Sequence, residues 1–138
     1  MRIRRAALDV IREHARRDSP HECCGLLIGS DVEVLEAVPA TNMAADPLRR
    51  FEVAPAEHLA QIRRCRDASA HGSPEMAVVG VYHSHPRSGP DPSPTDVEQA
   101  FEEFLFVIAG PVEAATPMEI RGYRLMAGHL ERAELIES

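Results

Sequence analysis

The stretch from Met76 to Asp96 limits what this chain can fold into more than any other. Met76 to His85 is strongly apolar and reads as a strand, which Pro86 stops. Residues two apart on a strand share a face, so His83 and His85 project side by side at its end. Pro86 to Pro94 is proline-rich, and Ser93-Pro94-Thr95-Asp96 opens a short helix predicted to run to about Glu103. Ser93 suits the N-cap, Pro94 the first helical position and Asp96 the first turn. That geometry can return the Asp96 carboxylate towards the histidines. Alone, Ser-x-x-Asp before a helix is an ordinary cap, and a lone strand histidine is structural. Jointly they point to metal, because two adjacent imidazoles on a buried face are costly without a shared partner. Two histidines and one carboxylate also leave a fourth tetrahedral position for water, as catalytic zinc requires.

The rest of the chain supplies a frame for that segment. Ile3, Ala6, Ala7, Val10, Ile11 and Ala15 recur at helical spacing, predicting a helix over Ile3 to Arg17 that Ser19-Pro20 ends. Cys23 to Ile28 and Val32 to Val38 read as a hairpin, and Phe51 to Val53 as a short strand after an irregular Thr41 to Arg50. Pro55 suits the start of a second helix to about Ala68, with Ala56, Leu59 and Ile62 facing inward. After the loop His71-Gly72-Ser73-Pro74 and the central strand, Leu105 to Ala109 is a buried strand. Two more follow, near Ile120 to Met126 and His129 to Leu135, joined at Ala127-Gly128; the segment from Glu131 to Ser138 is expected at a sheet edge. The order predicts one α/β domain over residues 1–138, a mixed α+β arrangement with a mixed β-sheet flanked by helices.

Composition excludes several classes. A chain of 138 residues fits one core without disulfide staples. Its net charge of -7 opposes a nucleic-acid backbone as partner. Every basic residue is arginine, which rules out a Schiff-base or P-loop lysine. The clusters Arg2-Arg4-Arg5 and Arg63-Arg64-Arg66 read as solvated helix faces. Cys23, Cys24 and Cys65 have neither a ribbon spacing nor an even count, so reduced core cysteines are expected. No apolar run reaches membrane-span length and no signal-peptide core follows the basic N-terminus, which predicts a cytoplasmic protein without a membrane partner.

A hydrolytic metal site needs a proton acceptor beside its water. Glu22, where the first helix ends and an apolar strand begins, is the candidate. Glu22, then His83-Ser84-His85-Pro86, then Ser93-x-x-Asp96 resembles the signature of the JAMM (MPN+, JAB-type) metalloproteases, with seven residues between His85 and Ser93. The likeness extends to Pro20-x-Glu22-x-Cys24-Gly25-x-Leu27-x-Gly29 and to Phe51-Glu52-Val53-x-Pro55, and spans about residues 1 to 126. The resemblance implies the JAMM sandwich fold related to cytidine deaminases, whose own motifs are missing here. It implies one Zn2+ per chain held by His83, His85 and Asp96. Glu22 would then move protons, and Ser93 would stabilise the oxyanion of a cleaved amide.

Family members cut isopeptide bonds of ubiquitin-like proteins or peptide bonds at the C-terminus of sulfur carriers. The chain is similar to the minimal prokaryotic type, without the long inserts of polyubiquitin-specific members. The resemblance therefore implies a peptidase or isopeptidase at the Gly-Gly end of a ubiquitin-like, β-grasp sulfur-carrier protein. The alternatives are a non-catalytic binding module with a structural metal, a cell-wall peptide hydrolase, or an Fe(II) site. Ser84 would point away from the ligands, Tyr82 would lie behind the site, Phe104 and Phe106 would pack in the core, and Arg87 would meet a substrate carboxylate or solvent. Sequence leaves the oligomeric state open.

Overall fold

A computed structural model of the chain describes residues 1–72, 75–100 and 103–138. The elements in order are β1 (Arg2–Ile3), α1 (Arg5–Asp18), β2 (Cys24–Gly29), β3 (Glu33–Ala40), α2 (Pro55–Ala70) and β4 (Ala77–Ser84). They continue with α3 (Pro94–Glu98), β5 (Leu105–Gly110), β6 (Glu119–Met126), β7 (His129–Ala133) and β8 (Ile136–Glu137). The strands form one mixed sheet in the order β7-β6-β5-β4-β2-β3-β1-β8. β2 is antiparallel to β3 and β4, whereas β4 and β5 are parallel neighbours.

Alternation along the central strands sorts the core into two layers. Leu27, Tyr82, Leu105, Val107 and Ala109 face one side, where α1 covers them with Ala7, Leu8, Ile11 and Ala15. Cys24, Leu26, Val81, Phe106 and Ile108 face the other, with Phe51 and Tyr123. His83 is two residues after Val81, so it belongs to this second side. Ser84 and Tyr82 belong to the first.

The sheet is curled. β7 and β8 lie at opposite edges, yet only Glu134 and Leu135 separate them. Three Cα steps reach at most about 11 Å, whereas eight strands laid flat would put the edges about 34 Å apart. Leu135 supports the curl by packing into the α1-side core and against Gly122 of β6.

Several local expectations change. Ile3 leaves the predicted helix for β1, which pairs in parallel with β3 and β8, and its side chain is fully buried there. The final predicted strand stops at Ala133, and β8 forms beyond it. Phe51 to Val53 makes a single bridge, Asn42 to Val53, because the Glu52 N–H donates to the Asn42 side chain instead. Ala56, Leu59 and Ile62 were expected inward and are exposed, Leu59 by 45%. Polar anchors turn α2: Glu57 accepts from the Thr41 N–H (2.9 Å) and hydroxyl (3.0 Å), and Arg64 pairs with Glu36. The stripe they set buries Cys65. α3 ends at Glu98 rather than near Glu103; Phe101 and Glu102 of that prediction, like Ser73 and Pro74 of the predicted loop, lie outside the described residues. The three cysteines are free and buried.

Candidate metal centre

Parallel neighbours cannot be joined by a tight turn, so the chain leaving the C-terminal end of β4 must cross to the start of β5. The crossover is the proline-rich loop and α3, and it passes over the strand end where His83 and His85 stand. Crevices beyond the C-terminal ends of parallel strands are where such sheets hold ligands. His85 is kept in line by its N–H, which donates to the Ala109 carbonyl of β5 (2.8 Å).

α3 positions Asp96 through a reciprocal cap. The Asp96 N–H donates to Ser93 Oγ (3.1 Å), and the Ser93 N–H donates to Asp96 Oδ2 (2.8 Å). Pro94 pre-sets the first turn, as expected. The carboxylate so fixed faces both imidazoles. His83 Nε2 is 3.1 Å from Oδ1, His85 Nε2 is 3.2 Å from Oδ2, and the two Nε2 atoms are 3.2 Å apart. All three side chains are buried.

The ring orientations suit ligation. His85 Nδ1 donates to the Gly89 carbonyl at 2.8 Å, so the neutral ring turns an Nε2 lone pair towards Asp96 and the protonated ring an Nε2–H. Phe51 stacks on His83 at 4.3 Å between centroids, holding that ring flat. His83 Nδ1 is buried without a hydrogen-bond partner among the described residues, a costly arrangement in an interior.

Burial lowers the His83 pKa despite the nearby Asp96, favouring the neutral imidazole. Burial pulls down on His85 too, but hydrogen bonds to Asp96 and to the Gly89 carbonyl, with the Asp96 charge, raise it overall. Burial acts to raise Asp96, and hydrogen bonds from His83 and His85 outweigh it, leaving the carboxyl far below its usual range. A divalent cation binds neutral nitrogen and ionised oxygen, so the shifts of His83 and Asp96 favour it, whereas His85 would give up a proton to it.

The residues fit such an ion. Metal–ligand bonds of about 2.0–2.1 Å in a tetrahedron put donor atoms about 3.3 Å apart; the two Nε2 atoms are 3.2 Å apart, and each faces its own Asp96 oxygen at a similar distance, His83 at 3.1 Å from Oδ1 and His85 at 3.2 Å from Oδ2. The fold supplies a possible metal site of two histidines and one aspartate.

The group opens on a cleft of about 440 Å³ whose lining includes Glu22, His85 and Ser93. Glu22 is 7% exposed, and burial raises its carboxyl to about 7; the nearby His85 works against that shift and Asp96 with it. A carboxyl titrating there can exchange protons near neutrality. Its backbone is held on both sides: the Glu22 N–H donates to the Pro47 carbonyl (2.8 Å), and Asn42 Nδ2 donates to the Glu22 carbonyl (2.9 Å). On the next residue, the Cys23 N–H donates to Ser84 Oγ (2.8 Å), tying the start of β2 to the residue between the histidines.

Ser84 thus points away from the ligands, and Tyr82 lies behind them, its hydroxyl 2.7 Å from His14 Nδ1. Phe106 is buried and Phe104 packs beside it. Arg87 lines the cleft but pairs with Glu113 at 3.2 Å. Sequence reasoning passed over Asn42, Gly89 and Arg49, and placed Phe51 in a strand. An asparagine in an irregular stretch was the available signal for Asn42; nothing in the sequence marks the carbonyl of Gly89.

Comparison with known proteins follows the same lines. The family model described as prokaryotic homologs of the JAB domain matches residues 4–125. Desampylase of Haloferax volcanii is 37% identical over 123 residues, covering 84% of each chain. A probable TtuB-protein conjugate cleaving protease of Thermus thermophilus is 31% identical over 108 residues, 78% of this chain and 68% of that one. CysO-cysteine peptidase of Mycobacterium tuberculosis is 32% identical over 128 residues, 91% and 83% respectively. Two solved structures share the fold at 23% identity. A JAB1/MPN domain protein of Archaeoglobus fulgidus has a TM-score of 0.62, covering 99% of this chain and 98% of its own. A protein described as carrying a JAMM metalloprotease-like zinc site has a TM-score of 0.60, covering 100% and 97%. No helix among the described residues is long and apolar enough to cross a membrane.

Proposed function

The chain belongs to the family of prokaryotic homologs of the JAB domain, and from that premise we propose that His83, His85 and Asp96 hold one Zn2+ per chain, with Glu22 and Ser93 as its catalytic residues. The protein is a JAMM-type metallopeptidase whose substrates are conjugates of ubiquitin-like or sulfur-carrier proteins, as the names of its relatives indicate. It cuts the peptide or isopeptide bond after a carrier's Gly-Gly tail. It works as one domain over residues 1–138, in the cytoplasm.

The observation that carries this reading is the approach of two Nε2 atoms and both Asp96 oxygens to 3.1–3.2 Å, beside a buried carboxyl that titrates near 7. When bound, zinc supplies Lewis acidity and lowers the pKa of water towards neutrality. Glu22 accepts the proton of the attacking water and returns it to the leaving nitrogen. The Ser93 hydroxyl accepts from the Asp96 N–H, so its own hydrogen is available for the developing oxyanion. Asn42 and Pro47 keep the Glu22 backbone fixed while its carboxyl gains and loses the proton. The extended tail lies in the cleft, where glycines fit a narrow passage.

The test pairs metal analysis with cleavage of a β-grasp carrier extended beyond Gly-Gly. The wild type is expected to bind one zinc per chain and release the extension. Glu22→Gln keeps the metal and loses activity by about 10²–10⁴-fold, whereas His85→Ala loses both. Normal turnover by Glu22→Gln would overturn the assignment in favour of a binding module with a structural metal, and purification with iron alone would overturn the zinc.

A further inference from the structure

The cleft carries one charge that the hydrolytic residues do not use. Three charged side chains line it beside Glu22: Arg49, Arg87 and Asp91. Arg87 is neutralised by Glu113, whose other oxygen accepts from the Ser19 hydroxyl at 2.9 Å. Asp91 is neutralised by Arg121 at 3.1 Å. Arg49 has no carboxylate partner among the described residues. In a chain with net charge -7, an unpaired guanidinium at the wall of the candidate active site is an available anion receptor.

The backbone that presents it is not free to drift. The N–H groups of Arg49 (3.2 Å) and Arg50 (3.0 Å) both donate to the Asp46 carbonyl, forming a tight turn. Pro47 in that turn accepts the Glu22 N–H, and Asn42 Nδ2 donates to both the Glu22 and the Arg50 carbonyls, each at 2.9 Å. Arg49 and Glu22 therefore share one hydrogen-bonded scaffold.

Resting on the hydrolase reading above, we propose that Arg49 is a specificity residue that binds the α-carboxylate of a single leaving residue, so that the enzyme favours C-terminal peptide adducts over isopeptides. Glu22 gives its proton to the leaving nitrogen, so the scaffold it shares with Arg49 flanks the leaving group. In a one-residue adduct the carboxyl carbon is two bonds from that nitrogen, about 2.5 Å away, and both oxygens can meet the guanidinium fork. The ε-nitrogen of an isopeptide-linked lysine has no carboxylate at that distance. A cleft of about 440 Å³ suits a short tail with a small leaving group.

The test separates binding from turnover. A β-grasp carrier extended by one alanine beyond Gly-Gly is prepared with a free carboxylate and with a terminal amide, and a third form carries an acetyl-lysine amide through its ε-nitrogen. Affinity is measured on the zinc-loaded full chain bearing Glu22→Gln, and KM and kcat on the catalytically intact chain. The acid is expected to bind roughly tenfold or more tighter than the amide or the isopeptide, as loss of a charge-assisted hydrogen bond implies. Arg49→Ala should erase that preference through KM with kcat little changed, and Arg49→Lys should restore part of it. Arg49 is exposed, so its variants keep the fold. Equal or absent binding of acid and amide, or a preference that survives Arg49→Ala, overturns the inference. Loss of all turnover with the acid preference intact would overturn the hydrolase reading instead.

Discussion

Asp96 caps a helix and faces two imidazoles with the same carboxylate, and the two tasks support each other. The Ser93 N–H fixes the rotamer that the metal set requires, and the helix start gains a neutralised donor. Glu22 is the opposite case, a group placed against its own preference. Its ordinary carboxyl pKa is 4.5 and burial raises it to about 7 in the fold. Between those values the folded state keeps a proton that the unfolded state has lost, so stability falls as pH rises through that window and stays reduced above it. In the metal-free protein, Glu22→Gln should therefore raise stability at pH 8 by about 1–3 kcal/mol and change it little near pH 4.5. Melting temperatures at the two values check this. An equal shift at both would show that the carboxyl is not strained. A gain in stability beside a loss of activity is the usual mark of a functional position.

At the scale of elements, the parts legible in the sequence were those whose partners are near in the chain. Two-residue alternation placed His83 and His85 on one face, and Ser93 with Pro94 announced the start of α3; the crossover between parallel strands did the rest. α2 begins at Pro55 as predicted, but its inward face differs because its orientation depends on Thr41 and Glu36, distant residues that bind Glu57 and Arg64 and turn Leu59 outward. β1 and β8 are two residues each and pair in parallel between the two ends of the chain, Arg2 with Ile136 and Ile3 with Glu137, which leaves no local pattern to find. The segment from Thr41 to Arg50 was read as irregular, and it is irregular in backbone but highly ordered in bonding. Asn42 donates to the Glu22 and Arg50 carbonyls and accepts from the Ala44 and Glu52 N–H groups. Asn42→Ala removes all four and should cost about 2–4 kcal/mol. It should also cut kcat while zinc stoichiometry stays at one, because the ligands lie at the end of β4, just beyond it and on α3. Retained full activity in Asn42→Ala, measured with metal content, would show that Glu22 needs no such brace.

For the whole molecule, the curled sheet leaves two apolar layers that depend on each other, and adjacent cysteines enter both. Cys23 faces the α1-side core and Cys24 the layer beneath Phe51. Burial pushes each thiol from 9.0 up to about 12, and pushes Tyr82 on the α1 side upward as well. Above pH 9 the unfolded chain gives up thiol protons that the folded chain retains. The native state then binds more protons, and stability falls as pH rises from 9 towards 12. Each thiol contributes up to about 1.4 kcal/mol per pH unit within that window. Against a typical total of about 5–15 kcal/mol, two thiols suffice to bring the melting temperature down steeply between pH 9 and 11. Cys23→Ala with Cys24→Ala should lower the melting temperature at pH 7, since both side chains fill packed space, yet flatten its fall at alkaline pH. The slope therefore decides the matter rather than the absolute value. Parallel curves for wild type and double variant would assign alkaline unfolding to groups other than these thiols, whereas a flattened curve would show that ionising one pair of neighbours opens both sides of the sheet together.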